Sequence, residues 1–330
     1  MHAPDSAPVP PLPRPEVRGG RFYNPTRHQD RSWWEVMRWK LNSRPARWPA
    51  FAHLAPGAVP SPPPSNGLTS TWVGHSTFLL RTPGFTALTD PQWSDCAGPF
   101  GRIGPRRAHP PGLRLAELPA LDAILLSHDH YDHCDLPTLR VLARAHPAAR
   151  LFAPLGFGPL AARAGFGPGR VELFDWWQST EVRPGHRLTA TPARHWGNRI
   201  SGPRNARLWC GWHLATPQAT LQFVGDTAFD TEMFPAIRQQ LGAPDLALIP
   251  IGAYAPRWFM HEQHCDPAEA VAIHLALGAR RSIGMHWGTF PLTDEPHDEP
   301  PRLLASAVAQ AQLPAEAFVT LSPGHSARCE

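Results

Sequence analysis

The chain has 330 residues, 42% hydrophobic and 18% charged, with a formal net charge of +4 and a pI near 9.0. That length allows one large domain or two small ones, and nothing in it approaches the run of about 18 apolar residues that spans a bilayer. The five cysteines, Cys96, Cys134, Cys210, Cys265 and Cys329, are odd in number and form no CxxC pair; this excludes a disulfide framework or a cysteine zinc knuckle and fits a reducing compartment. Lysine occurs once, at Lys40, so the basic balance is arginine. Arginine suits phosphate, but a diffuse positive balance says little about partners.

Residues 1–20 are rich in Pro and Gly and are expected to be mobile. Met1–Arg14 has no apolar core of the kind a secretory signal needs, so a cytoplasmic location is expected. Trp33, Trp34, Trp39 and Trp48 then stand among basic residues, with a short helix expected over Ser32–Leu41. Pro60–Gly67 reads as a linker. The expected division is therefore residues 1–67 as an N-terminal extension and linker, and 68–330 as the catalytic domain.

From Thr69 the pattern is rich in strands. Thr71–Val73, Thr77–Arg81 and Phe85–Leu88 read as antiparallel strands separated by Gly and Pro, and Ala123–Leu126 as a buried strand. Asp135–Ala145 has helical spacing, with Leu136, Leu139 and Leu142 on one face. Leu188–Thr191, Leu208–Leu214, Thr220–Val224, Leu246–Ile251 and Ser282–Met285 are further predicted strands. Asp266–Leu277 reads as a helix with Asp266 as N-cap, Pro267 at N1 and Glu269 at N3. Pro301–Ala311 is a last helix and Phe318–Leu321 a last strand. This order suggests two sheets with helices outside, an α/β (α+β) fold.

The chemistry concentrates in Ser127-His128-Asp129-His130-Tyr131-Asp132-His133, directly after an apolar strand. Neutral imidazole and carboxylate are the donors that hold zinc and similar divalent ions. The one-residue alternation sends His128 and His130 the same way, while Asp132 and His133 turn toward a neighbouring position. That arrangement suits two adjacent ions. Further donors stand at predicted strand ends: His195 after Leu188–Ala193, Asp226 in Gly225-Asp226-Thr227, and His286 in His286-Trp287-Gly288-Thr289. A carboxylate following an apolar strand and a glycine is well placed to bridge two ions.

The HxHxDH motif followed by a later His, Asp and His resembles the metallo-β-lactamase superfamily, over about Thr69–Leu321. The resemblance implies a four-layer αββα sandwich with metals at one edge. It assigns His128, His130 and His195 to a first metal, Asp132, His133 and His286 to a second, and Asp226 to a bridge. Longer strings are similar to the N-acylphosphatidylethanolamine-hydrolysing phospholipase D group. They include Thr71 through Thr77, Leu88-Thr89-Asp90-Pro91, Ile249 through Tyr254, Pro256-Arg257-Trp258-Phe259-Met260 and His286 through Phe290, with Phe22-Tyr23-Asn24-Pro25 near the N-terminus. Gly101 departs from the group, falling where mammalian members carry a glutamine.

The resemblance implies hydrolysis of a phospholipid phosphodiester to phosphatidic acid and an N-acylethanolamine by a hydroxide bridging two ions, zinc foremost, with manganese or iron as alternatives. Asp226 would orient the attack, Asp132 would serve as ligand and base, and His264 would assist the leaving group or bind phosphate. Asp90 would hold a ligand imidazole from behind. His75 has a supporting or structural role, and Arg257 is a phosphate contact or a surface residue. The aromatic segments suit a lipid interface, and the resemblance suggests a homodimer. A lactonase or another hydrolase on the same site is the alternative within enzymes. A metal-bound lipid-binding scaffold would predict missing ligands, and a nuclease would need an additional domain.

Overall fold

The computed structural model describes residues 14–25, 33–49, 66–200 and 202–329. A hairpin of β1 (Glu16–Arg18) and β2 (Arg21–Tyr23) and a helix, α1 (Trp33–Asn42), precede the main body. The first half of the body contains β3 (Leu68–Gly74), β4 (Thr77–Thr82), β5 (Phe85–Thr89), β6 (Ala123–Leu125), α2 (Leu136–Ala145), β7 (Arg150–Pro154), α3 (Gly158–Ala164) and β8 (Val171–Phe174). The second half opens with β9 (Ser179–Arg183), β10 (His186–Thr191), β11 (Gly211–Ala215), β12 (Thr220–Phe223), α4 (Met233–Leu241) and β13 (Leu246–Pro250). It continues with α5 (Arg257–Met260), α6 (Pro267–Leu277), β14 (Arg281–Met285), α7 (Glu299–Gln310) and β15 (Phe318–Val319), and β16 (Ser326–Cys329) closes the chain.

These strands make two sheets of seven, ordered β16-β3-β4-β5-β6-β7-β8 and β15-β14-β13-β12-β11-β10-β9. In each sheet the early strands pair antiparallel and the later ones parallel, except that the last strand, β16, returns to pair antiparallel with β3. Antiparallel neighbours need only a turn, whereas parallel neighbours need a crossover. Helices supply most of those crossovers, α2 and α3 in the first sheet and α4, α6 and α7 in the second, while β5 and β6 are joined by a long loop with two short 3-10 turns. One core lies between the sheets, around Trp72, Phe78, Leu125, Trp212, Phe223 and Leu248. A second forms where Leu139, Leu142 and Leu160 of α2 and α3 cover the outer face of the first sheet. A third forms where Ile237, Ile273 and Leu304 of α4, α6 and α7 cover the second. The four-layer αββα order follows.

The predicted elements from β3 to β6, α2, β10 to β15, α6 and α7 are present with ends shifted by one to three residues. Strands β7, β8, β9 and β16 and helices α3, α4 and α5 add to them. Within the segment 1–20, residues 14–20 include the first strand and the turn of the hairpin. There the hairpin packs onto the body, with Arg14 Nη1 3.0 Å from Asp175 Oδ2 and Phe22 N donating to Asn205 O at 2.9 Å. Residues 1–13, Ser32 and most of the expected linker lie outside the described residues. Helix α1 also docks: Trp39 stacks on Phe259 with ring centres 4.8 Å apart, and Ser43 Oγ donates to Asp294 Oδ1 at 2.6 Å. Among the described residues no helix is long and apolar enough to cross a membrane.

Candidate metal centre

Every predicted metal-ligand residue sits in a loop that leaves a strand at the same edge of the sandwich. His75 occupies the turn between β3 and β4, Asp90 follows β5, and residues 128–133 follow β6. His195 follows β10, Asp226 follows β12 and His286 follows β14. Three of these residues take the left-handed region that a side chain normally avoids: His75 at φ 53°, Asp90 at φ 33° and His286 at φ 60°. Two glycines make the convergence possible. A Cβ on Gly225 would stand 2.9 Å from Cys210 O, and one on Gly252 would stand 2.2 Å from His286 O. Each glycine therefore lets a ligand-bearing loop lie against its neighbour.

The donors gather in two groups that share Asp226. In one, His130 Nδ1 lies 2.9 Å from His128 Nε2 and 3.2 Å from His195 Nε2. In the other, Asp132 Oδ2 lies 2.9 Å from His75 Nε2, 3.4 Å from His133 Nε2 and 3.5 Å from His286 Nε2. Asp226 Oδ2 stands between them, 3.0 Å from His286 Nε2, 3.2 Å from His133 Nε2 and 3.8 Å from both His128 Nε2 and His195 Nε2. Three nitrogens around one tetrahedral zinc, each at about 2.0–2.1 Å, stand roughly 3.3 Å apart. The spacing in the first group is close to that. Moreover Asp226 Oδ1 is buried with no hydrogen-bond partner among the described residues, and the Nε2 atoms of His133 and His286 face only the carboxylates of Asp132 and Asp226. Such atoms are costly to bury unless something satisfies them. Their donor chemistry and their convergence fit divalent ions at both positions.

The electrostatics separate the imidazoles. Burial holds His128 and His195 well below the usual histidine range and pulls His75 and His264 down to about 3. These four rings are therefore neutral at pH 7. Burial also works against charge on His133 and His286, but the carboxylates of Asp226 and Asp132 outweigh it. His286 is raised to about 9 and His133 is raised well above the usual value. Burial opposes the charge on Asp132 and Asp226 too, yet the neighbouring histidines keep both well below the usual carboxylate range.

Most ligand rings are braced from behind, which fixes tautomer and angle. Asp90 Oδ2 lies 2.7 Å from His133 Nδ1 and also accepts from Ser127 Oγ at 2.5 Å, while Asp90 Oδ1 accepts from Ser127 N at 2.7 Å. Ser127 Oγ contacts His128 Nδ1 at 2.9 Å. His195 Nδ1 donates to Gln263 O at 3.0 Å, and Asn24 Nδ2 donates to His195 O at 2.9 Å. The backbone of His75 donates to Thr289 Oγ1 at 2.7 Å. The parts of Gln263, Thr289 and Asn24 carry no local signal in the sequence, because each acts on a residue far away in the chain.

A cavity of about 290 Å³ opens over this group. Its lining combines His130, Asp132, Asp226, His264 and His286 with Trp196 and Arg204, with Val36 and Trp39 of α1, with Phe259 and Met260 of α5, and with Leu292. His264 Nδ1 is 4.0 Å from Asp226 Oδ2, so His264 is brought to the site. Arg257 is not. Its guanidinium lies 2.7 Å from Glu269 Oε2 and 3.4 Å from Asp266 Oδ2 and donates to His264 O at 2.8 Å, which ties α5 to the start of α6. The charged tip is spent on these partners, away from the cavity wall. Gly101, at φ 67°, packs against Ser94 and does not line the cavity either.

A family model described as a beta-lactamase superfamily domain matches residues 86–287. An N-acyl-phosphatidylethanolamine-hydrolyzing phospholipase D of Caenorhabditis elegans is 40% identical over 267 residues, covering 78% of this chain and 75% of that protein. A mitochondrial protein of the same description from Saccharomyces cerevisiae is 33% identical over 239 residues, covering 70% of this chain and 50% of that protein. The solved structure of a metallo hydrolase from the archaeon Ignicoccus hospitalis superposes with a TM-score of 0.59 at 22% identity, over 80% of this chain and 98% of that one. At that identity the likeness concerns the fold.

Proposed function

The chain belongs to the metallo-β-lactamase superfamily, and from that membership we propose that this metal-dependent hydrolase is a phosphodiesterase of the phospholipase D type. Its proposed substrate is N-acylphosphatidylethanolamine or a related phospholipid, cleaved to phosphatidic acid and an N-acylethanolamine. The observation that carries the substrate class is the mixed lining of the cavity, in which histidine and carboxylate donors occur together with Val36, Trp39, Phe259, Met260 and Leu292. An amphiphile with an anionic centre and apolar chains matches both kinds of lining at once. The similarity to the two phospholipases supports the same reading.

Two divalent ions, zinc best suited to this histidine-rich set, would supply Lewis acidity and a water-derived nucleophile at neutral pH. The protein's own part is placement. Asp226 Oδ2 lies between the two donor groups and can orient the attacking oxygen toward phosphorus. His264, kept neutral by burial, can offer an N–H to the leaving oxygen or to a phosphoryl oxygen. Trp34 and Leu41 on α1 are 75% and 79% exposed, and Trp258 on α5 is 42% exposed. Aromatic and aliphatic residues so placed beside the cavity suit peripheral contact with a lipid surface.

The test is hydrolysis by the metal-loaded protein of N-acylphosphatidylethanolamine in mixed micelles, beside a lactone and a β-lactam, with Asp132→Asn as control. Cleavage of the phospholipid at the phosphate–ethanolamine bond, lost in the control, is the expected result. In the same assay Trp39→Ala should raise KM for long-chain substrates several-fold more than for short-chain ones. Turnover of the lactone alone would replace the phospholipase reading with a lactonase one and leave the metal site in place.

A further inference from the structure

His130 is held differently from the other two rings of its group. Ser127 Oγ contacts the second nitrogen of His128, and Gln263 O accepts from that of His195. The second nitrogen of His130, Nε2, is buried and has no hydrogen-bond partner among the described residues. Its ring meets the Trp196 ring edge-on at 4.6 Å, a contact that does not select a tautomer or a ring angle. The direction of Nδ1 toward the shared position must then come from the backbone that carries His130.

That backbone is clasped by a buried cation. Arg199 is 5% exposed, and its Nη1 donates to Asp129 O at 2.9 Å and to Cys134 O at 2.8 Å. These two carbonyls bracket the ligand segment His130–His133, and the first belongs to the peptide that enters His130. The guanidinium carbon also stands 4.0 Å from the centre of the Tyr131 ring, within the segment. Next to it, Asp129 Oδ2 accepts from Arg207 Nη1 at 2.8 Å, and the Asp129 side chain is almost wholly buried. Both arginines come from the loop that begins at His195. That loop lies flush against Asp129, since a Cβ on Gly197 would stand 2.8 Å from Asp129 Oδ1. It is closed on itself by Asn205 N donating to Gly197 O at 2.8 Å. One set of contacts thus joins the two chain segments that deliver His130 and His195.

We propose that Arg199, seconded by the Asp129–Arg207 pair, is a positioning residue for the first metal, orienting His130 through its backbone as hydrogen bonds to the second ring nitrogen orient His128 and His195. The proposal rests on the reading that His128, His130 and His195 share an ion. Both carbonyls are reached from one nitrogen, Nη1, while the flat guanidinium lies on the Tyr131 ring; lysine carries no planar face to keep that contact while its ammonium reaches the carbonyls.

The experiment is cobalt(II) titration of the metal-free protein, followed by visible absorption, for the wild type, Arg199→Ala, Arg199→Lys and Arg207→Lys. Loss of a partner that orients a ligand typically weakens metal binding by about 10–100-fold. We expect that loss at one of two cobalt positions in both Arg199 variants, with an altered d–d band. Millimolar guanidinium should restore the band in Arg199→Ala. Should Arg199→Ala not fold, Arg199→Lys and Arg207→Lys carry the test. A lowered melting temperature with wild-type cobalt affinity and spectrum would make Arg199 merely structural and overturn the proposal. A wild type that takes up fewer than two cobalt ions would instead overturn the two-position reading beneath it.

Discussion

At the centre of the site one oxygen, Asp226 Oδ2, lies within 4.0 Å of five imidazole nitrogens, those of His128, His133, His195, His264 and His286. Without metal, the raised pKa values of His133 and His286 mean that both rings carry a proton at pH 7 and pair with Asp132 and Asp226. A divalent ion must displace those protons, because only a neutral imidazole coordinates. The sign follows: the folded-state pKa lies above neutrality, so competition by protons is strong at pH 7 and fades as pH rises toward about 9. Apparent metal affinity should increase with pH over that range, by up to about tenfold per pH unit for each proton displaced. Titration calorimetry in buffers of different ionisation enthalpy measures the release directly, and a binding heat independent of buffer would contradict it.

The element nearest the chemistry is α6, whose start is fixed by a complete capping box. Asp266 Oδ1 accepts from the backbone of Ala268 and Glu269, each at 2.9 Å, and Glu269 Oε2 accepts from Asp266 N at 3.0 Å. Arg257 binds the same two carboxylates, so the short helix α5, the His264 loop and α6 are joined at one point. Asp266→Ala should cost about 1 kcal/mol of stability, the usual loss for an N-cap. Denaturant unfolding would read that loss as a lower midpoint at unchanged slope. An unchanged midpoint would show that Arg257 and Glu269 hold the helix start without the cap.

At the scale of the molecule, the two sheets must stay in register for residues 128–133 of one to meet His195 and Asp226 of the other. Cross-sheet hydrogen bonds sit where that alignment matters. Trp212 Nε1, on β11, donates to Leu126 O at 2.9 Å, and Cys210 N donates to Ser127 O at 2.9 Å, both at the root of the ligand loop. Within the second sheet, Trp209 Nε1 donates to Ala193 O at 2.8 Å across the connection from β10 to β11, two residues before His195. Trp212→Phe leaves Leu126 O unpaired in a dry interior and removes part of a fully buried ring, a loss of roughly 2–3 kcal/mol. Thermal unfolding should shift down, and metal should dissociate faster from the folded protein. A stability loss with unchanged metal retention would place the sheet alignment under other contacts.

The sequence by itself singled out the candidate donor residues and most of the elements that carry them. A donor-rich heptapeptide after an apolar strand, and single His and Asp residues at later strand ends, are local patterns, and hydrophobic period and capping chemistry are local too. The parts it left open depend on residues far apart in the chain. The sequence does not show that Arg257 turns to Asp266 and Glu269 instead of the cavity, because a charged tip goes to whichever partner packing brings closest. The docking of residues 14–25 and of α1 escaped composition, since their partners Asp175, Asn205, Phe259 and Asp294 lie far along the chain. Strands β7 and β8 and helix α3 escaped it because their apolar runs are short, and pairing with neighbouring strands or covering a sheet decides their form, whereas α4, with Met233, Phe234, Ala236 and Ile237 at helical spacing, and the alternating β9 carry a local pattern. Only the tertiary structure set Asp226 between two groups of imidazoles and brought Val36, Trp39, Phe259 and Met260 to the same cavity, because the donor loops meet only when two sheets pack face to face and the apolar residues come from α1 and α5, which dock against that edge.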